Sequence, residues 1–168
     1  GKMDKVFGIR VPDHISYSKT LNNLSLRSQS HGALVHWLGD DYEVGVQYFD
    51  GDKEKKEEDQ SNGFTGKFEY NLTKNVRAGF SYMKETLSNE DVQDVKAALL
   101  KARIGEASST MVEVGQNDKE LNAGGQRSAR YAFWQSHLYI KRGMYFLMTF
   151  EYLTPSSQNV IDYILLNI

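Results

Sequence analysis

The chain contains no cysteine, which excludes disulfide scaffolding, a thiolate metal site and a cysteine nucleophile. It has no excess of basic charge. Lys+Arg 20 against Asp+Glu 22 leaves a net charge of -2, unlike a general nucleic-acid binder. It has no apolar stretch near the roughly 20 residues of a spanning helix, so a helical membrane protein is excluded. The four histidines, His14, His31, His36 and His137, lie far apart and lack metal-ligand spacing. There is no G-x-S-x-G, P-loop or zinc signature. No catalytic residue, cofactor or metal is therefore expected. The chain opens on Gly1-Lys2-Met3-Asp4 without the apolar run of a signal peptide; a chain whose signal has been removed, or an internal piece of a longer one, would read the same way. Proline is scarce, at 2, while Gly 14, Tyr 10 and Phe 8 are plentiful. A length of 168 residues is one domain's worth, taken as a single unit over 1–168.

What is present is alternation. In segment 63–72, Phe64, Phe68, Tyr70 and Leu72 share one face, and Thr65, Lys67, Glu69 and Asn71 share the other. Segment 76–84 repeats the pattern, with Val76, Ala78, Phe80 and Tyr82 against Arg77, Gly79, Ser81 and Met83. Thr73-Lys74-Asn75 between them reads as a three-residue hairpin loop whose last position tolerates a left-handed conformation. Pairing Leu72 with Val76 places Phe68 on Phe80, Tyr70 on Ala78 and Tyr82 over Gly66. A second hairpin joins 132–140 to 144–153 through Lys141-Arg142-Gly143, with Gly143 supplying the positive φ. Pairing Ile140 with Met144 sets Leu138 on Phe146, Ser136 on Met148, Trp134 on Phe150 and Ala132 on Tyr152. The opposite face pairs Tyr139 with Tyr145, His137 with Leu147, Gln135 with Thr149 and Phe133 with Glu151.

Further strands are expected at 32–39 and 42–50, paired across Asp40-Asp41, and at 110–116 and 160–168, with less regular ones at 5–11 and 19–28. Segment 88–105 is two-sided. Ser88-Asn89-Glu90-Asp91 has capping-box form and Val92, Val95, Leu99 and Ala102 follow helical spacing, whereas Ala98, Leu100, Ala102 and Ile104 also share a strand face. The strand reading keeps a regular pattern of connections. Those at 40–41, 73–75, 105–109 and 141–143 are short, those at 50–62, 85–94 and 117–128 long, and that at 154–159 intermediate. In an up-and-down meander the tight turns then fall at one end and the long loops at the other.

This pattern, from about residue 32 to residue 168, resembles a bacterial outer-membrane β-barrel of the porin type, with short turns, long external loops and strands of about 9 to 11 alternating residues. The resemblance implies an all-β antiparallel meander forming a transmembrane β-barrel or part of one. It implies that Phe68, Tyr70, Phe80, Tyr82, Trp134, Phe146, Phe150 and Tyr152 face lipid. Glu43, Lys67, Glu69, Arg77, Lys101, Arg103, Glu113 and Glu151 would line a polar lumen of mixed charge and weak ion selectivity. The expected role is a passive channel or membrane scaffold in the bacterial outer membrane. Its partners would be membrane lipid and small hydrophilic solutes or ions, not nucleic acid. About eleven strands and an end on Asn167-Ile168 depart from the even strand numbers and terminal aromatic of that family, so partner chains are expected if the barrel is incomplete.

The alternative is a soluble antiparallel β-sandwich or barrel, with one helix at 88–105, binding a ligand such as a sugar on Phe133, His137, Tyr139 and Tyr145. Asp50, Asp52 and Glu54 have calcium-loop spacing, but Lys55 stands where that loop needs glycine and Ser61 where it needs glutamate. A solvated, salt-laced loop is the expectation there. The sequons at Asn71 and Asn23 are attributed to chance.

Overall fold

The computed structural model describes residues 5–8, 21–22, 24, 30–51, 61–155 and 163–167. Among these residues nine strands form one sheet in strict chain order: β1 (Gly32–Leu38), β2 (Tyr42–Asp50), β3 (Ser61–Thr73), β4 (Val76–Leu87), β5 (Val92–Ile104), β6 (Ser108–Glu120), β7 (Gln126–Lys141), β8 (Met144–Pro155) and β9 (Tyr163–Asn167). Every neighbouring pair is antiparallel. The protein is thus an all-β up-and-down meander, as its alternation requires. The described sheet is open, with β1 and β9 at its edges. About eleven strands were expected. Lys5–Gly8 and Leu21–Asn22 lie in none, which corrects the strand expectation for those residues; 9–20 and 25–29 lie outside the described residues. So does the candidate calcium loop beyond Gly51.

The two hairpins register as their apolar faces demand. Phe68 pairs with Phe80, Tyr70 with Ala78 and Gly66 with Tyr82; Trp134 pairs with Phe150 and Leu138 with Phe146. The turns differ from expectation. Val76 pairs with Thr73, not Leu72, and Met144 with Lys141, not Ile140, each beside a register shift. A bulge absorbs one residue on the incoming strand and leaves a two-residue turn. Thr73 Oγ1 stabilises the first turn by accepting hydrogen bonds from the Asn75 and Val76 amides, at 3.2 and 3.1 Å. Asn75 therefore needs no positive φ and has none, whereas Gly143 has φ 77°.

Residues 92–104 are strand, which overturns the helical alternative at 88–105. Pairing with β4 on one side and β6 on the other over the whole segment outweighs its helix propensity. The apparent capping box is a turn. Glu90 takes a positive φ of 64°, the Leu87 amide donates to the Asp91 carbonyl, and Asn89 Nδ2 donates to the Asp91 carboxylate at 2.8 Å. The loops at this end are shorter than expected, because β4 to β7 run on to 12–16 residues and leave only 88–91 and 121–125 as connections.

The two faces of the sheet carry opposite chemistry. Buried positions on β2–β8 alternate with exposed ones, and the buried face (here the inner face) holds Gln47, Thr65, Glu69, Ser81, Glu85, Gln93, Glu113, Asn117, Gln135, Thr149 and Glu151. The outer face holds Val46, Tyr48, Phe64, Phe68, Tyr70, Phe80, Leu100, Val114, Trp134 and Tyr152, all exposed. Phe68 is 47% exposed while its neighbour Glu69 is 0%. A small apolar cluster sits mid-way along the inner face, where Phe7 packs with Met83, Val95, Ala97 and Tyr131. Leu99 and Phe133, with Met111, form a second.

Asp91 gives this end of the sheet a pH signature. Lys119, at 2.8 Å, then the Asn122 amide and Asn89 together hold its carboxyl down at about 2. An unfolded-state aspartate titrates near ~3.9, so the stabilisation is complete above that value and is lost as pH falls through about 2. A carboxyl chemical-shift titration should place the Asp91 midpoint near 2; a midpoint near ~4 would mean that these contacts do not form. Asp91→Asn should remove the acid dependence of stability in this window.

Candidate functional site

Successive cross-strand pairs trace rows across the outer face. One row runs Trp37, Val44, Phe68, Phe80, Ala98, Val114, Ala132, Tyr152 from β1 to β8. The next toward the short turns runs Tyr42, Tyr70, Ala78, Leu100, Val112, Trp134, Phe150. Neither contains a charge or an amide side chain. One step the other way, Val46, Gly66 and Tyr82 give way to Lys96, Gln116 and Arg130 on β5–β7. On β3 the outer positions without a charged or amide side chain reach from Phe64 to Leu72, about 26 Å along the strand. The boundary therefore slants across the rows, as strands tilted against a flat boundary give.

The inner face is charged at the same depth. The row opposing Glu43, Glu69, Gly79, Leu99, Glu113, Phe133 and Glu151 carries four glutamates. Glu43 and Glu69 face each other directly, which is repulsive unless cations intervene. Lys67 pairs with both, lying 3.6 Å from Glu43 and in closer contact with Glu69. Arg77 donates from one Nη1 to both, at 3.0 and 3.4 Å, and from Nε to Asn71 at 2.8 Å. Lys101 reaches Glu69 from two strands away, at 2.8 and 3.1 Å. Gly79 makes this reach feasible, since a Cβ there would sit within 3 Å of Glu69 Cγ. His36 Nε2 closes the cluster, 3.0 Å from Glu43.

Residues 5–8 lie against the half of the inner face nearer the 88–91 and 121–125 turns. Lys5 pairs with Glu85 at 2.6 Å, both buried, and Lys5 Nζ stands 4.7 Å from the centre of the Phe49 ring. Gln93 Nε2 also donates to Glu85, at 2.7 Å. The Val6 amide donates to Gln47 at 2.8 Å and the Gly8 amide to Ser81 at 2.9 Å. Val6 Cγ1 comes within 3 Å of where a Gly45 Cβ would be. Asn117 Nδ2 donates to the Leu21 carbonyl and to Asn22. A segment this short touching β2, β4 and β6 fits a sheet curled around it. Gln47 Nε2 and Thr65 Oγ1, at paired positions, have no protein partner among the described residues, so this part of the interior suits water.

All eight residues expected to line a lumen fall on the inner face, and all eight expected to face lipid fall on the outer one. The first group does not form one continuous lining. Glu43, Lys67, Glu69, Arg77 and Lys101 make the ion cluster. Glu113 instead accepts from the Tyr131 hydroxyl at 2.9 Å, and Glu151 lies buried opposite Phe133. Arg103 is exposed and donates to the Gly105 and Glu106 carbonyls of its own turn. The aromatic patch is split too: His137 stacks on Tyr145 at 4.5 Å and Tyr139 meets Tyr145 edge-on, but Phe133 is buried elsewhere. Alternation gave no sign of Lys5, Gln47, Ser81 and Glu85 as a seat for the N-terminal segment, nor of the reach across Gly79. No family model, curated protein or solved structure matches the chain.

Glu69 is the centre of the cluster. Glu69→Gln should lower unfolding stability by about 3 kcal/mol, the lower end for breaking a buried ion pair, because Lys101 and Arg77 are about a third exposed and can rehydrate. Denaturant unfolding of the full chain and of the variant measures this; an unchanged midpoint would show that the cluster adds nothing.

Proposed function

We propose that the protein is a membrane-embedded β-barrel, or one section of a barrel, serving as a scaffold whose interior is filled by its own N-terminal segment. One observation carries this reading. Over the same stretch of strand the outer face is apolar and without charge, while the inner face buries glutamates and pairs Glu69 with two lysines and an arginine. A water-soluble sheet buries its apolar face and wets its polar one. The opposite arrangement suits a lipid exterior and a polar interior. The uncharged stretch on β3, about 26 Å along a tilted strand, is comparable with the apolar band of about 25 Å that such barrels present.

Between a passive channel and a scaffold, the packing of residues 5–8 favours the scaffold, because Phe7, Lys5 and Gly8 take up interior volume that a conduit would leave to water. Bilayer residence also requires partners, from elsewhere in the chain or from another chain, for the outer backbone groups of β1 and β9, which have no neighbouring strand among the described residues. A bacterial outer membrane is the setting that such barrels imply.

The test is purification with and without detergent, followed by unheated and heated SDS gels and planar-bilayer recording. The chain should require detergent, shift in mobility on heating and conduct weakly. Lys5→Glu sets two carboxylates against each other at Glu85 and should raise conductance without impairing insertion. A folded monomer in plain buffer would overturn the membrane reading. High conductance of the unaltered chain would overturn the filled interior and restore the passive channel.

A further inference from the structure

The outer face carries three cations immediately beyond its uncharged rows. Lys96 and Arg130 flank Gln116 in one register row, and Lys84 stands a step further, opposite Asp94. Their exposure distinguishes them from the cations within. Lys5, Lys67, Arg77, Lys101 and Lys119 are each paired with a carboxylate. Lys84, Lys96 and Arg130 are exposed and have no ion pair among the described residues.

Two aspartates share the band and are held by neutral donors. The Tyr82 hydroxyl donates to Asp94. Gln116 Nε2 donates to both Asp118 oxygens at 2.8 and 3.0 Å, and the Ser128 hydroxyl also donates to Asp118. These contacts fix the carboxylates to the sheet beside the cations, and three cations against two aspartates leave the band an excess of one positive charge. Lys96 and Arg130 are two strand spacings apart, about 10 Å, within reach of a single bulky headgroup or of two neighbouring ones.

We infer that Lys84, Lys96 and Arg130 form a docking band for the phosphate groups of lipid headgroups, on the leaflet nearer the 88–91 and 121–125 turns. The inference rests on the membrane reading above. Its warrant is charge complementarity at a fixed depth: a bilayer presents phosphate where its hydrocarbon ends, and here the cations begin where the apolar surface ends. Long basic side chains at that level keep their stems on apolar surface while their heads meet the phosphate.

The full chain should be placed in vesicles of phosphatidylcholine alone and of phosphatidylcholine mixed with phosphatidylglycerol. Insertion is read by protease protection, and thermal stability separately by the heat-dependent gel shift. The unaltered chain should insert in both and gain several degrees in the mixed vesicles, with the gain shrinking as salt rises. The triple variant Lys84→Gln, Lys96→Gln, Arg130→Gln should insert equally well and gain nothing. Equal gains in the two proteins, or none in either, would overturn the docking band while leaving the membrane reading intact. An equal gain from inorganic phosphate in detergent would reassign the band to a free anion and overturn the lipid source. Failure of the unaltered chain to insert would overturn both readings.

Discussion

Burial of the glutamate row on a sheet whose other face is apolar is the constraint from which the remaining features follow. A carboxylate withdrawn from water loses several kcal/mol of hydration and must recover it from cations and hydrogen bonds. Glu69 is wholly buried, and three cations surround it. Each depends on a further local arrangement. Lys67 stands two residues away on the same face of β3, Arg77 is oriented by Asn71, and Lys101 needs the bare backbone of Gly79 beneath it. Removal of Glu69 would therefore disturb three strands together. Because the strand period is two, placing Glu69 inward also places Phe68 and Tyr70 outward.

The same accounting governs the N-terminal segment. Residues 5–8 form no strand, so their amides cannot be satisfied by a ladder. Side chains of the inner face substitute for one: Gln47 for the Val6 amide and Ser81 for that of Gly8. The Lys5 ammonium finds Glu85, and Phe7 finds the apolar cluster around Met83 and Tyr131. The interior thus has two halves with different chemistry. The turn-end half holds an ion cluster formed within the sheet. The loop-end half is polar mainly where it meets a second segment of chain. Neither half is lined by polar residues alone: Leu99, Met111 and Phe133 pack together in the first, and Phe7 meets Met83 and Val95 in the second.

Period-two alternation made the fold and the identity of both faces legible. In 63–84 and 132–153 it also fixed register, because only one pairing sorts apolar and polar residues at once. What it could not fix were features with another cause. The bulges beside Thr73 and Lys141 arise from turn closure and leave facing unaltered beyond the turn. Segment 88–105 carries signals for two structures, and only neighbouring strands decide between them. The strands extend beyond their alternating apolar residues because β4–β7 continue into Lys84, Asp94, Asp118 and Arg130, where polar side chains look like loop. The seat of the N-terminal segment joins residues as far apart as Lys5 and Glu85, a separation that no local pattern encodes.

The edges bear on what the sheet must join. Soluble sheets protect a free edge with lysine, proline, inward charge or a covering element. Strand β1 reads Gly-Ala-Leu-Val-His-Trp-Leu and has none of the first three. Its seven residues are exposed, and the apolar ones occupy both faces, with Val35 and Trp37 in the outer rows and Leu34 and Leu38 in the inner ones. In water such an edge would invite indiscriminate strand addition. In a bilayer it would be worse, since unpaired amides and carbonyls in hydrocarbon cost several kcal/mol apiece. Neither solvent favours β1 as a permanent edge, so its composition argues for a partner along that edge.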